Sequence, residues 1–313
     1  MVTILEGDSC TVLASLPDKS VQCCVTSPPY FGLRDYGHAG QIGLEPMPDT
    51  YVAKMVALFR EVRRVLKDDG TLWINLGDSY ARNGGSSTQC GPNAKVGNTR
   101  TGEARRMSRV PGSQPSDLGG SLRGFISDSP PATSADYPAQ NSIPWALKEK
   151  DLIGIAWRVA LALQADGWYL RSDIIWHKPN SMPESVTDRP TKAHEYVFLL
   201  SKSGRYFYDA KAISETVASG VRDRNARTVW NITTQPFKGA HFATMPPELA
   251  KRCILAGSRL GDTVLDPFGG AGTTGLVADR LGRNATLIEL NPTYAAIARE
   301  RIVSDSPLFA EVA

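Results

Sequence analysis

Near its C-terminal end the sequence has the pattern of a strand, a turn, a helix and a second strand. Residues 263–265 are apolar and predict a strand, and residues 266–274 (DPFGGAGTT) form a glycine-rich turn. Residues 275–281 predict a helix, and residues 285–289 predict a second strand that ends on an acidic residue. A helix between two strands makes those strands parallel neighbours with a crossover connection. The chain is therefore expected to adopt an α/β fold with a mostly parallel sheet.

The same alternation of strands and helices continues through the rest of the chain. Short apolar runs predict strands, and apolar residues at helical spacing predict helices. Gly70 is expected to break the helix that precedes it. The other predicted strands are 2–5, 21–26, 71–76, 169–177 and 195–201, and the other predicted helices are 49–66, 151–164, 246–256 and 292–302.

Composition sets limits on the class of protein. The chain has 313 residues, of which 42% are hydrophobic and 21% are charged, as in ordinary globular proteins. No apolar stretch approaches the roughly 18 residues of a membrane span, and no signal peptide is visible, so we expect a cytoplasmic protein without membrane contact. The net charge of +3 permits a nucleic-acid partner without requiring one. Five cysteines without zinc-site spacing predict thiols and no metal.

Two polar segments interrupt the alternating pattern. Residues 82–144 are rich in Gly, Ser, Pro and Asn and carry seven Lys and Arg against four Asp and Glu. Such a long segment is either functional or disordered, and a functional one would become ordered on binding a polyanion. Residues 209–238 form a second polar stretch that contains five Lys and Arg.

The glycine-rich turn predicts a nucleoside site. Glycines let a ligand approach the backbone closely, and the following helix offers free N–H groups. Glu289 follows Asp266 by 23 residues, a spacing that suits a carboxylate bound to ribose hydroxyls. The turn lacks the G-x-G-x-x-G of dinucleotide sites and the Gly-Lys-Ser/Thr of phosphate loops. S-adenosylmethionine carries no phosphate and fits a turn without a neutralising cation.

A second motif, Ser27-Pro28-Pro29-Tyr30, follows the predicted strand 21–26. Two successive prolines fix the backbone and remove two N–H donors, which leaves carbonyl oxygens exposed. A carbonyl and the Ser27 hydroxyl could accept both N–H bonds of the amine of cytosine or adenine and free its lone pair. Tyr30 could stack on a base extruded from the duplex. These four residues are the candidate catalytic residues.

Together the two motifs resemble the permuted (β-class) S-adenosylmethionine-dependent DNA amino-methyltransferases, the N4-cytosine/N6-adenine family. The catalytic motif precedes the cofactor motif, as in DNA enzymes with a target-recognition insert between their halves. Other segments also look like that family: DIIWHKPN from Asp173, RPTKAHE from Arg189, and HFATMP from His241. The resemblance implies a circularly permuted Rossmann-like methyltransferase fold, with seven mostly parallel strands and one antiparallel hairpin strand. Residues 2–5 would then lie beside residues 285–289.

The resemblance also assigns roles to individual residues. Glu289 would hold the ribose, Asp8 would meet the adenine amine, and the segment that contains His241 and Thr244 would close over the methionine end. The residues expected to line the methionine side are Asp266, Pro267, Phe268, Gly270, Gly272 and Thr273. The candidate DNA contacts are Arg105, Arg106, Lys178 and Arg189.

The expected division of the chain follows from the motifs. Residues 1–81 and 145–208 would form the catalytic half, and residues 241–313 the cofactor half. Residues 82–144 would be a basic insert that contacts DNA or is disordered, and residues 209–240 a target-recognition segment. Duplex DNA is the expected partner, with a homodimer and a restriction endonuclease as further possibilities.

Several alternative functions stay open or are disfavoured. Cytosine carbon-5 methylation needs a nucleophilic thiolate, typically from a Pro-Cys pair, and no cysteine follows a proline. Base deamination needs a zinc site. Ser-Pro-Pro-Tyr tends to accompany N4-cytosine methylation in the family, which favours cytosine slightly over N6 of adenine. A catalytically silent DNA-binding protein and an RNA methyltransferase are the remaining alternatives.

Overall fold

The computed structural model describes residues 1–33, 38, 40–81, 147–216, 223–235 and 244–305. They fall in one unit, formed by Met1–Ala94 and Leu147–Ala313, whereas the other unit, Lys95–Ala146, lies outside the described residues. The expected basic insert, 82–144, therefore lies outside the described residues as well. The elements are β1 (Val2–Glu6), α1 (Ser9–Ser15), β2 (Val21–Thr26), α2 (Pro48–Val65), β3 (Leu66–Leu76), α3 (Ile155–Ala165), β4 (Tyr169–His177), β5 (His194–Ser201), β6 (Glu215–Thr216), β7 (Asp223–Arg224), β8 (Val229–Asn231), α4 (Pro247–Gly257), β9 (Thr263–Asp266), α5 (Thr273–Arg280), β10 (Asn284–Glu289) and α6 (Pro292–Asp305).

Eight of these strands form one sheet in the order β1-β10-β9-β2-β3-β5-β4-β8. All neighbouring pairs are parallel except those of β5, which runs antiparallel to both β3 and β4. The expected α/β fold with a mostly parallel sheet and one antiparallel strand is confirmed. The expected seven strands are present, and β8 adds a short eighth at the edge because Val229–Asn231 pairs with the end of β4.

The first and last parts of the chain meet at the other edge of the sheet. β1 pairs in parallel with β10, from Val2 beside Ala285 to Glu6 beside Glu289, as the resemblance predicts. Arg299 of α6 contributes an ion pair to Glu6 at 2.6 Å. Strand pairing thus joins segments that are almost 300 residues apart in the sequence.

Helices cover both faces of the sheet. One hydrophobic cluster contains side chains of α1, α2 and α3, with Phe59 and Val62 among them. The other cluster contains side chains of α4, α5 and α6, with Leu249 and Leu276 among them. Because both faces are covered, β2 is buried along its whole length.

The boundary between α2 and β3 differs from the sequence prediction. The helix ends at Val65, and Leu66 already has extended backbone and pairs with Val21 of β2. Gly70 therefore lies inside β3 and does not end the helix, which corrects the prediction made from its position. A Cβ at Gly70 would lie 2.9 Å from the Lys67 carbonyl oxygen, so the glycine permits the irregular pairing there.

No helix in the described ranges is long and apolar enough to cross a membrane.

Candidate active site

The two sequence motifs follow strands that are neighbours in the sheet. β2 ends at Thr26, just before Ser27, and β9 ends at Asp266. After β2 the chain continues to β3 on one side, and after β9 it continues to β10 on the other side. The crevice between two such diverging connections is the usual ligand site of an open α/β sheet. The fold therefore places both motifs at one crevice.

A direct hydrogen bond joins the two motifs. The Thr26 hydroxyl donates to Asp266 Oδ1 at 2.7 Å, and the Thr274 hydroxyl donates to Asp266 Oδ2 at 2.7 Å. The backbone N–H of Phe268 also donates to Oδ1, at 3.0 Å. Burial raises the pKa of Asp266 to about 7, although these three hydrogen bonds act in the opposite direction. Asp266 thus fixes the start of the glycine-rich turn against the end of β2.

Glu289 lies at the end of β10, where its carboxylate faces the same turn. Its Oε2 accepts from the Gly270 N–H at 2.7 Å, and its Oε1 accepts from the Asn291 N–H at 2.9 Å. Burial raises the pKa of Glu289, and the backbone hydrogen bonds oppose the shift. A carboxylate oxygen has more than one acceptor site, so both oxygens can still accept a ligand hydroxyl.

A cavity of about 1770 Å³ connects the two motifs. It is lined by the predicted residues Asp8, Ser27, Pro28, Pro29, Tyr30, Lys178, Arg189, Thr244, Asp266, Pro267, Phe268, Gly270, Thr273 and Glu289. Gly272 is not among the lining residues of the described structure; it lies behind the turn, against Ala298. His241, Arg105 and Arg106 lie outside the described residues.

The cofactor half of this cavity suits a sulfonium nucleoside. Asp8, Asp266 and Glu289 line it, and the Lys and Arg residues among the described lining residues, Lys150, Lys178, Arg189 and Lys192, belong to other segments. His38 is a nearby charge for Glu289, but no Lys or Arg among the described residues forms an ion pair with these three carboxylates, which favours a positively charged, phosphate-free ligand over a nucleotide. The donor set therefore fits S-adenosylmethionine.

Asp8 has a structural task that the sequence did not reveal. It is the N-cap of α1, because its Oδ1 accepts from the backbone N–H and the hydroxyl of Thr11, both at 3.0 Å. The next residue, Ser9, donates its hydroxyl to the Pro267 carbonyl at 2.6 Å. This contact holds the start of α1 against the cofactor turn.

The two prolines that follow Ser27 present their carbonyl groups differently. The Pro29 carbonyl accepts from the Tyr51 hydroxyl at 2.9 Å. In the described part of the chain no donor is bound to the Pro28 carbonyl, and Pro28 lines the cavity. The Pro28 carbonyl is therefore the acceptor that can serve a ligand.

The Ser27 hydroxyl lies in a polar cluster at the same corner. It is 3.4 Å from Asn75 Oδ1 and 3.4 Å from the Tyr30 hydroxyl. When Ser27 donates to either atom, its own lone pairs remain available for an incoming N–H. Tyr30 packs its ring against Gly77, where an added Cβ would lie 2.6 Å from the ring.

Glu195, at the start of β5, is a functional candidate that the sequence reasoning did not single out. Its Oε2 accepts from the Tyr30 hydroxyl at 2.7 Å and from Asn75 Nδ2 at 3.1 Å. Its Oε1 pairs with Lys178, whose ammonium lies 4.3 Å from the centre of the Trp176 ring. The only available signal was its place in the segment RPTKAHE, whose residues have no local pattern that predicts these contacts.

The two described DNA-contact candidates are both engaged within the chain. Lys178 pairs with Glu195, and its side chain is 19% exposed. Arg189 pairs with Glu184 at 2.6 Å and stacks over the Tyr80 ring at 3.9 Å. Each lies at the cavity, but its charge is already partly neutralised.

Comparisons with known proteins relate this chain to DNA methylases. A family model described as DNA methylase, of the N6 and N4 type, matches residues 21–300. The chain is 48% identical over 301 residues to the Type II methyltransferase M.SmaI of Serratia marcescens, and the match covers 96% of this chain and 90% of the relative. It is 49% identical over 300 residues to M.Cfr9I of Citrobacter freundii, with 96% and 87% covered.

Solved structures share the fold. The PvuII DNA methyltransferase, which is cytosine-N4-specific, superposes with a TM-score of 0.65 at 20% identity, over 97% of this chain and 87% of that one. A DNA modification methylase of Thermus thermophilus, solved in complex with S-adenosyl-L-methionine, gives a TM-score of 0.60 at 24% identity over 100% of both chains.

Proposed function

This chain belongs to the DNA methylase family of the N6 and N4 type, and we propose that its target is the N4 amine of cytosine in duplex DNA. It is an S-adenosylmethionine-dependent DNA amino-methyltransferase, related to Type II methyltransferases. The observation that carries the proposal is the corner formed by Ser27, the Pro28 carbonyl and Tyr30, which opens into the same cavity as the glycine-rich turn.

We propose that the cofactor lies along the glycine-rich turn. Glu289 would hold the ribose hydroxyls, Asp8 the adenine amine, and Asp266 with Phe268 the methionine side. When bound, the cofactor supplies an electrophilic methyl group on a sulfonium. This half of the site would therefore bind and orient the cofactor, and the fixed backbone of the turn would keep its methyl group at one position.

The catalytic corner would act on the base. The N4 amine is a poor nucleophile because its lone pair is delocalised into the ring. The Ser27 hydroxyl and the Pro28 carbonyl would each accept one of its N–H bonds, which favours a pyramidal nitrogen with a free lone pair. Positive charge would develop on this nitrogen as it gains the methyl group, and the Glu195 carboxylate behind Tyr30 and Asn75, which also pairs with Lys178, would partly offset that charge. The nitrogen would then release one of its N–H protons to water, which gives the neutral methylated amine.

The preference for cytosine over adenine rests on the residue at position 27. This chain has Ser27 at the position where the N6-adenine enzymes of the family tend to have Asp or Asn. PvuII methyltransferase, which has the same fold, is cytosine-N4-specific. N6 of adenine is the alternative, because both amines need the same two acceptors. The intact catalytic and cofactor motifs argue against a silent DNA-binding protein, and the DNA methylase family argues against an RNA substrate.

The test is to identify the methylated nucleoside. Purified protein is incubated with mixed-sequence duplex DNA and isotopically labelled S-adenosylmethionine, and the product is digested to nucleosides for mass measurement. We expect 4-methylcytosine. If 6-methyladenine appears instead, the target base is wrong while the enzyme class stands.

The catalytic corner can be tested with a pair of tyrosine variants. Tyr30→Ala should lower kcat at least about 100-fold because it removes the group between Ser27 and Glu195, while cofactor affinity stays within about threefold. Tyr169→Ala removes an exposed tyrosine at the opposite end of the sheet and should leave kcat unchanged. Full activity of the Tyr30→Ala enzyme would overturn the assignment.

We also propose the division of the chain given above, with residues 209–240 and 82–144 contacting DNA. A homodimer and a cognate endonuclease stay predictions, and the mass of the enzyme in solution, measured by analytical ultracentrifugation, would test the first.

A further inference from the structure

Four Lys and Arg residues line the cavity within the described residues, and three of them are in ion pairs. Lys150 pairs with Asp188 at 2.7 Å, Arg189 pairs with Glu184 at 2.6 Å, and Lys178 pairs with Glu195. The ammonium group of the fourth, Lys192, forms neither an ion pair nor a hydrogen bond with the described part of the chain. Within those residues, Lys192 is therefore the one of the four whose charge has no direct partner.

Lys192 is also half-buried, which makes the absence of a partner costly. Burial lowers its pKa, and so does the nearby charge of Lys178. Asp78, Glu195 and Glu184 attract the ammonium, but none of them lies within ion-pair distance. A partly desolvated ammonium without a bonded acceptor is stabilised when an anionic ligand reaches it.

The position of Lys192 along the sheet places it on one side of the cavity. It precedes β5, whose start lies beside the ends of β3 and β4, whereas the glycine-rich turn follows β9. β5 is separated from β9 by β2 and β3. Lys192 thus lies on the base side of the catalytic corner, away from the proposed cofactor half.

We propose that Lys192 binds the phosphodiester group adjacent to the extruded nucleotide. The inference rests on the proposed function, because it requires that a base of duplex DNA enters the cavity. A nucleotide rotated out of the duplex brings its own phosphates to the mouth of the pocket. An oxyanion there completes the coordination of the ammonium and holds the nucleotide in the extruded position.

The first experiment compares Lys192→Gln with Lys19→Gln. Both variants lose one positive charge, but Lys19 precedes β2 and lies at the opposite end of the sheet from the cavity. We expect Lys192→Gln to bind duplex DNA about tenfold more weakly and to reduce the slope of log Kd against log salt by about one. Lys19→Gln should change neither quantity. An unchanged salt slope for Lys192→Gln would overturn the proposal.

The second experiment locates the phosphate. The probes are duplex oligonucleotides centred on a base that the enzyme methylates. Each has a neutral methylphosphonate in place of one phosphate beside that base. The wild-type enzyme should lose about tenfold in affinity on one of these duplexes, and Lys192→Gln should lose nothing further on that duplex. If the wild type and Lys192→Gln lose affinity equally on every neutral duplex, the result contradicts a phosphate contact and indicates a contact with the base.

Two controls separate this proposal from the others. Lys192→Arg keeps the charge and should stay within about threefold of the wild type; about tenfold weaker binding by this variant would count against a phosphate contact. The nucleoside measurement identifies the methylated base whatever Lys192 does, so a failure of one proposal is distinguishable from a failure of the other. Cofactor affinity and unfolding midpoints of both glutamine variants should match the wild type, since a large loss in Lys192→Gln would indicate a structural role.

Discussion

The Asp266 carboxylate holds three elements of the site together through hydrogen bonds. Its two oxygens receive hydrogen bonds from β2, from the turn and from α5, so the side chain fixes three elements relative to each other. The carboxylate is buried, and burial favours its protonated form, which raises its pKa. The residue is therefore both a structural link and a titrating group near neutral pH.

The stability of the free protein should depend on pH through Asp266. Burial raises its pKa from 3.8 to about 7, so between these values the folded state keeps a proton that the unfolded state has lost. The free energy of unfolding should therefore fall as the pH rises through this window, by about 1.4 kcal/mol per pH unit. Urea unfolding of the wild type and Asp266→Asn between about pH 5 and 6.5, inside that window, checks this. The Asp266→Asn variant should lack the pH dependence that this carboxyl group contributes. If the unfolding free energies of the variant and the wild type change with pH by the same slope, the prediction is wrong.

The start of α5 depends on two glycines with left-handed backbone. Gly270 has φ +50° and Gly272 has φ +75°. They differ in the space around them, because a Cβ at Gly272 would lie 2.8 Å from Ala298 Cβ of α6, whereas the nearest atom at Gly270 is 3.9 Å away. Gly270 borders the cavity, and Gly272 lets the turn pack against α6.

Alanine substitutions at these two positions should distinguish the free-energy cost of left-handed backbone from the cost of a clash with α6. Gly270→Ala adds only the cost of left-handed backbone, about 1 kcal/mol of unfolding free energy. Gly272→Ala adds a clash with the backbone and side chain of α6 and should cost about 3 kcal/mol. Urea unfolding of both variants measures the difference. Equal losses would show that the contact between α5 and α6 is not tight.

The order of the strands in the sheet is independent of their order in the chain. β1 pairs only with β10 in this sheet, and it is joined to β2 through α1 and an exposed turn at residues 17–20. The segment from Met1 to Asp18 could therefore follow α6 instead of preceding β2 without the loss of a strand pair.

A circular permutant tests this independence. The new chain begins at Lys19, runs to Ala313, and continues through a flexible linker of about ten residues to Met1 and Asp18. We expect it to retain the circular dichroism spectrum, cofactor binding and methyl transfer, because β1 can still reach the edge beside β10. A permutant that fails to fold while the wild type folds under the same conditions would contradict the argument.

Most element positions could be predicted from the sequence because the signals are local. The bounds of β2 and β4 agree with prediction, and α4, α5 and α6 begin or end within a few residues of it. α1 was missed because it has only seven residues, and its signal was the cap formed by Asp8 and Thr11. β8 was missed because its three residues gain their conformation from pairing with β4.

Local patterns in the chain were enough to predict the alternation of strands and helices and the chemistry of the two motifs, since both depend on neighbours in the sequence. The positions of Glu195, Lys178 and Lys192 beside Ser27, Pro28 and Tyr30 depend instead on how the strands are arranged in the folded chain. β5 runs antiparallel, so its first residues lie beside the last residues of β3 and β4, at the edge where Ser27 follows β2. Contacts between residues 165 positions apart, such as Tyr30 and Glu195, follow from strand order and direction, which no local pattern encodes.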